Sequence, residues 1–149
     1  MRWSEIGGER CSVARTLSVV GERWTMLVLR EAFRGVRRFE DFQQHTGASR
    51  PVLAERLRQL TADEVLRRER YAEKPDRYEY RLTEKGLELY PVIVSLMSWG
   101  DRWMDDGSGP PVQLTHRGCE GPLQPTLSCG SCGEPVTARD VRATPTPVP

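Results

Sequence analysis

Thr46-Gly47-Ala48-Ser49-Arg50-Pro51-Val52-Leu53-Ala54-Glu55-Arg56-Leu57-Arg58-Gln59-Leu60 is the stretch that decides how this chain folds. Gly47 ends whatever precedes it. Ser49 is a residue type that caps helices, and Pro51 is tolerated in a first turn, where its missing N–H has no intrahelical partner to lose. Leu53, Leu57 and Leu60 then fall at i, i+4 and i+7, a single inward stripe. Arg50, Val52, Glu55, Arg56 and Gln59 are left on or near the opposite face. The spacing predicts a helix with one anchored side and one side free to read a partner.

Upstream, Val13, Leu17 and Val20 recur at helical spacing and predict a short first helix closed by Gly21. Trp24, Leu27, Val28 and Phe33 mark the apolar face of a second helix from Arg23 to Phe33, stopped by Gly35. Phe39 and Phe42 place a brief third helix ending at Thr46 and Gly47. Downstream, Val65 to Tyr71 and Arg77 to Leu82 suit two strands joined by a charged tip. Tyr78, Tyr80 and Leu82 alternate with Arg77, Glu79 and Arg81, so the second strand is expected to bury one side and expose the other.

Thr83 then suits the N-cap of a long helix running to about Met104 and bent at Pro91. Its surface is unusually apolar: Leu89, Ile93, Leu96 and Trp103 form one stripe, and Leu87, Tyr90, Val94, Met97 and Met104 a second. A helix apolar on most sides must be covered on most sides, and a second copy of the chain is the natural cover. Trp24, Trp99 and Trp103 read as core or dimer-contact residues rather than stacking platforms for bases.

These elements predict a mainly α fold with a small antiparallel β-hairpin, a winged helix-turn-helix domain with dimerising terminal helices. At 149 residues the chain suits one such domain and an extension. Residues 1–10 form an N-terminal segment and 11–106 the domain. Residues 107–149 form a Pro/Gly-rich, Cys-containing C-terminal extension, since eight of the 11 prolines lie beyond Asp106. The longest apolar run falls far short of the roughly 20 residues of a membrane span, and no signal segment opens the chain, so no membrane partner and a cytoplasmic location are expected. No nucleophile constellation, phosphate loop or paired-acid spacing points to an enzyme.

Lys and Arg number 22 against 21 Asp and Glu, so any affinity for a polyanion must be local. It is local here. Arg34, Arg37 and Arg38 precede the third helix, and Arg67, Arg68, Arg70, Lys74, Arg77 and Arg81 decorate the hairpin, with acids interspersed. A helix entered from a Gly-containing turn fits the major groove of double-stranded DNA, and a basic hairpin reaches the backbone beside it. Arg50, Val52 and Arg56 are expected at base edges, with Ser49, Pro51 and Glu55 on the same surface. Arg37, Arg38, Lys74 and Arg77 are expected on phosphates. Such a dimer would read a palindromic operator and needs no cofactor to bind it.

Over about Cys11 to Met104 the sequence also resembles the HxlR-type transcriptional regulators. The resemblance is carried by Cys11 and by Gly21-Glu22-Arg23-Trp24-Thr25 with Leu27 and Leu29. Arg38-Phe39 with Phe42, Ser49 through Leu60, Leu82-Thr83-Glu84-Lys85-Gly86 and Trp99-Gly100 complete it. It implies a dimeric winged-helix repressor or activator with the helix from Ser49 as recognition helix. Ser12 departs from the proline often found there, and the tail extends beyond shorter members. A MarR-like winged-helix regulator is the fold-compatible alternative. A zinc-ribbon adaptor working through the tail is the alternative from another class.

Cys11 allows two readings: a buried structural thiol, which is the commoner case, or a redox sensor answering an oxidant or small-molecule effector from a helix N-terminus. The resemblance implies the second for some members. In the tail, His116, Cys119, Cys129 and Cys132 form an H-x-x-C and a C-x-x-C pair, a ligand set for a structural Zn²⁺. Gly133 and Pro135 oppose the helix that a disulfide-exchange motif would require.

Overall fold

A computed structural model describes residues 3–8 and 10–147, and the chain divides into two compact units, Met1–Ile93 and Val94–Pro149. After a 3-10 segment at Trp3–Gly8, the first unit contains α1 (Ser12–Val20), α2 (Arg23–Phe33), α3 (Phe39–Thr46), α4 (Arg50–Ala62), β1 (Leu66–Glu73), β2 (Asp76–Leu82) and α5 (Glu84–Leu87). The last helix, α6 (Tyr90–Trp103), spans the division, and the proline-rich remainder belongs to the second unit. Among the described residues no helix is long and apolar enough to cross a membrane.

The leucine stripe of α4 forms the core of the first unit as its period predicts, whereas α2 buries Thr25, Val28, Leu29 and Glu31 and leaves Trp24, Leu27 and Phe33 of its predicted face half-buried. Val28 and Leu29 of α2, Phe42 of α3, Ala48 of the turn, Leu53, Leu57 and Leu60 of α4, and Val65 and Leu66 at the entry to β1 are all buried. Helix α2 lies at the centre, packed on α1, α3, α4 and β2. Gly47 sits in the left-handed region at φ 71°, its N–H bonded to the Gln43 carbonyl at 2.9 Å. That conformation suits glycine and sets the angle between α3 and α4.

Four local expectations are corrected. On α1 the buried residues are Ala14 and Val20, while Val13 and Leu17 of the apolar stripe are exposed. Ser49 occupies the N-cap position of α4, but no side-chain cap bond forms. Pro91 does not bend a long helix. The helix breaks a turn earlier, between α5 and α6, and Pro91 falls in the first turn of α6, where it is tolerated because a continuous helix would drive its ring against the Leu87 carbonyl. The apolar stripe of that segment is accordingly split, with Ile93 and Val94 buried but Leu96, Trp99 and Trp103 exposed.

The hairpin pairs Leu66 with Leu82 through Arg70 with Tyr78, slips at Tyr71, and resumes at Ala72 opposite Arg77. That bulge explains why the first strand alternates poorly. The second strand is half-buried from Tyr78 to Leu82, so it does not divide into a dry and a wet side. An ion network fills the side expected to be solvated: Arg81 binds Glu79 at 2.6 Å and Glu69 at 3.0 Å. Thr83 caps α5 as expected, accepting from the Gly86 N–H at 3.1 Å and donating to the Glu64 carbonyl at 2.6 Å.

Candidate nucleic-acid interface

With Leu53, Leu57 and Leu60 turned inward, the rotation of about 100° per residue puts Pro51, Glu55, Arg58 and Ala62 on the outermost line of α4. Val52 and Gln59 flank it. All four outermost residues are exposed. Arg50 lies to one side, its guanidinium 4.8 Å over the Phe39 ring and 3.2 Å from the Gln43 amide oxygen, which ties the start of α4 to α3. Arg56 lies on the other side and is half-buried.

Sequence reasoning passed over Arg58. It donates two hydrogen bonds to the Glu55 carboxylate, at 2.9 and 2.7 Å. Those bonds hold the Glu55 carboxyl below its ordinary range and raise the Arg58 guanidinium in turn. The signal was available: at about 100° per residue Arg58 lies roughly twice as far around the helix from the leucine stripe as the favoured Arg56.

The loop between α2 and α3 and the hairpin supply a second edge. The Tyr80 N–H donates to the Arg37 carbonyl at 2.7 Å, pinning the loop to β2. Arg38 lies 4.9 Å over Tyr71, the bulge residue, and Arg68 lies 3.6 Å over Tyr78. Several hairpin arginines are neutralised by neighbours. Arg67 and Arg81 share Glu69, whose carboxyl is held below its ordinary range chiefly by the Arg67 hydrogen bond, and Arg70 lies between Glu73 and Asp76. Lys74 and Arg77 at the tip are exposed and, among the described residues, take part in no ion pair. Between α4 and the hairpin runs a cleft of about 500 Å³ with Phe39 and Tyr80 in its walls, and Arg58 and Arg68 both line it. One cation from the helix and one from the hairpin therefore meet at a single cleft.

Behind this surface sits Glu31, a residue the sequence reading did not single out. It is buried on α2 and binds Arg30 at 2.7 Å, Arg34 at 3.3 Å and His45 of α3 at 3.3 Å. It braces α3 from behind.

A run of 90 residues, 19–108, matches the HxlR-like helix-turn-helix family. The chain belongs to that family. An uncharacterised HTH-type transcriptional regulator of Mycobacterium tuberculosis is 49% identical over 91% of this chain and 86% of its own length. The HTH-type transcriptional regulator YodB of Bacillus subtilis is 31% identical over 68% of this chain and 93% of its own length. Among solved structures, PA1607, a candidate transcription factor, superposes with a TM-score of 0.83 at 36% identity over 93% of this chain and 96% of its own. The redox regulator HypR in its reduced form gives 0.60 at 32% identity over 64% of this chain and 95% of its own. The chain is thus a winged helix-turn-helix transcriptional regulator of the DNA-binding kind, and α4 is the second helix of its helix-turn-helix.

The remaining candidate residues lie on other elements of the chain. Cys11 is exposed at the N-cap position of α1, so it is not a buried structural thiol. In the tail, His116 Nδ1 is 3.3 Å from Cys119 Sγ. The Cys129 thiol is held below its ordinary value by the backbone N–H groups of Cys132 and Ser131 and by the Cys132 side chain. The structure brings these donors together in twos. Among the described residues it gathers no group of three or more.

Proposed function

We propose that the chain binds a palindromic stretch of duplex DNA as a homodimer, with α4 in the major groove and the hairpin on the adjoining backbone. One observation carries this reading: the leucine side of α4 is fully buried while the opposite side is exposed along its length. Arg50, Val52, Arg56 and Arg58 address base edges. Glu55 is placed to accept from a cytosine amine once Arg58 releases it, and Ser49 and Pro51 bring the first turn close to the duplex. Arg37, Arg38, Lys74 and Arg77 neutralise phosphates.

The dimer is supported by apolar surface that the single chain leaves uncovered. Leu96, Trp99 and Trp103 form one stripe on α6 at 54%, 60% and 64% exposure, and Val13 and Leu17 form another on α1. Helices so exposed in apolar side chains require a second cover. Cys11 supports an oxidant as the effector, because its thiol is exposed and the chain is similar to the redox regulator HypR.

In vitro selection of bound DNA from a random pool tests the whole reading. A site with half-sites about one helical turn apart is expected. Arg58→Ala should weaken binding by roughly 1–3 kcal/mol at one position of each half-site, whereas Lys74→Ala should weaken all sequences and reduce the salt slope by about one unit. Recovery of no preferred sequence would overturn the proposal. A monomeric mass in light scattering would overturn its dimer. Undiminished release of DNA by oxidant in Cys11→Ser would overturn the sensor.

A further inference from the structure

Residues 114–123 and 127–136 are two copies of one small hairpin. In the first, the Leu123 N–H donates to the Leu114 carbonyl at 2.7 Å and Thr115 bridges Pro122. The His116 N–H then donates to Gly121 at 2.9 Å, and the Glu120 N–H to the His116 carbonyl at 2.8 Å. In the second, the Val136 N–H donates to Leu127 at 2.9 Å and Ser128 bridges Pro135. The Cys129 N–H donates to Glu134 at 2.8 Å, and the Gly133 N–H to the Cys129 carbonyl at 2.7 Å. Both turn through a left-handed residue, Glu120 at φ 55° and Gly133 at φ 77°.

The sequences match in kind along the repeat: Leu-Thr-His-Arg-Gly-Cys-Glu-Gly-Pro-Leu against Leu-Ser-Cys-Gly-Ser-Cys-Gly-Glu-Pro-Val. This correspondence lays donor on donor, His116 on Cys129 and Cys119 on Cys132. Each hairpin therefore offers two soft ligands from equivalent positions. A left-handed glutamate costs on the order of 1 kcal/mol, so the first hairpin keeps the shared shape even where it is strained.

Apolar burial does little to hold these hairpins. Leu114, Leu123 and Val136 are only half-buried, Leu127 is 70% exposed, and all four cysteines are free of disulfides. Small segments without a sufficient core depend on a covalent or metal cross-link.

We propose that the two hairpins are zinc knuckles, and that His116, Cys119, Cys129 and Cys132 bind one structural Zn²⁺ in a tetrahedral Cys₃His site. The first pair is already at ligand spacing. A nitrogen and a sulfur on the same tetrahedral zinc are about 3.5 Å apart for ordinary Zn–N and Zn–S lengths, and His116 Nδ1 lies 3.3 Å from Cys119 Sγ. The ion draws the second knuckle onto the first, the three thiols give up their protons to solvent as they bind, and the two hairpins become one ribbon. The site is independent of DNA recognition, since none of its ligands lies on α4 or the hairpin of β1 and β2.

The test uses the full-length chain, thiol-reduced and stripped of metal, titrated with Co²⁺ alone and then with Zn²⁺. One equivalent of Co²⁺ should produce tetrahedral ligand-field bands and a thiolate-to-metal charge-transfer band, and one equivalent of Zn²⁺ should abolish both. With zinc present a thiol reagent should modify only Cys11 rapidly, and a chelator should release the other three. Cys129→Ser and Cys132→Ser should each weaken Zn²⁺ binding by more than about 100-fold, beyond the roughly 10–100-fold that outer-shell changes alone cause. His116→Cys should keep the ion and shift the Co²⁺ spectrum toward an all-thiolate site, a readout that survives if a serine variant misfolds. An octahedral Co²⁺ spectrum, no stoichiometric metal, or four equally reactive thiols in the presence of zinc would each overturn the proposal. So would an unchanged Co²⁺ spectrum in His116→Cys.

Discussion

Leu57 and Leu127 are the same side chain in two regions that keep their shape by different means. Leu57 is fully buried on α4, as Val28 and Leu29 are on α2 and Phe42 on α3, whereas Leu127 is 70% exposed at the mouth of a tail hairpin. The first region is built by burial, and the exposed side of α4 is only as well placed as the leucines behind it. The second is built from short backbone hydrogen bonds and tight turns. Position in the first therefore depends on side-chain packing, and shape in the second on the backbone itself.

The sharpest way to break this contrast is Leu57→Ala. Emptying a fully buried site costs both transfer free energy and a cavity, about 3 kcal/mol within a range of roughly 2–5. Urea unfolding followed by circular dichroism should show that loss, and specific DNA binding should fall with it because α4 loses its central anchor. A change below about 1 kcal/mol would mean the leucine stripe does not hold the helix.

Gly86→Ala tests the same region by overfilling it. A methyl group there would stand 2.2 Å from the Val65 carbonyl oxygen and 3.0 Å from a Leu82 methyl carbon. The backbone carbonyl cannot swing aside without disturbing its bond from the Thr83 N–H, 3.1 Å long. Overpacking of this kind costs roughly 1–3 kcal/mol, and the backbone clash puts this site at the upper end. An unchanged midpoint in urea would show that α5 can move away from β1 freely.

Glu31→Gln should cost less, about 1–2 kcal/mol. The substitution keeps the shape and removes a buried carboxylate that binds two arginines and the His45 ring. Losing one partner of a buried pair is severe when the other charge stays buried. Here Arg30, Arg34 and His45 are 38%, 56% and 48% exposed and can return to water. Thermal unfolding of the variant checks the figure, and a loss above about 3 kcal/mol would show that the three partners are less able to rehydrate than their exposure implies.

The contrast also governs what could be read from the sequence. The helix-turn-helix and hairpin were legible because burial imposes a period: leucines at i, i+4 and i+7 leave no other face for the core, and Gly47 marks the turn. Glu31 was not legible, since a buried acid looks like a solvated one until the partners from α2 and α3 are assembled around it. Arg58 was missed because two arginines separated by two residues differ only in rotation about the helix, which the leucine stripe fixes but charge does not. The period of Val13, Leu17 and Val20 identifies an apolar face without saying what covers it, and of the three the chain itself buries Val20. The break before Pro91 escaped for a related reason: a proline limits where a helix can run, and its neighbours decide whether it bends or stops. In the tail the ligand spacing was visible, while the repeat was masked by the exchange of His116 for a cysteine and of Glu120 for a glycine.

The smallest effect completes the comparison. Leu127→Ala removes the same atoms as Leu57→Ala, but from a side chain that is 70% exposed. Its backbone carbonyl still accepts from the Val136 N–H at 2.9 Å, a bond the substitution does not touch. With little surface to return to water and no cavity to open, the change should stay within about 0.5 kcal/mol. Unfolding of the zinc-loaded chain and of the stripped chain, measured side by side, should give the same small figure in both. A loss near that of Leu57→Ala would mean that the tail has an apolar core of its own, with Leu127 in it, and the two regions would then be held together by the same force.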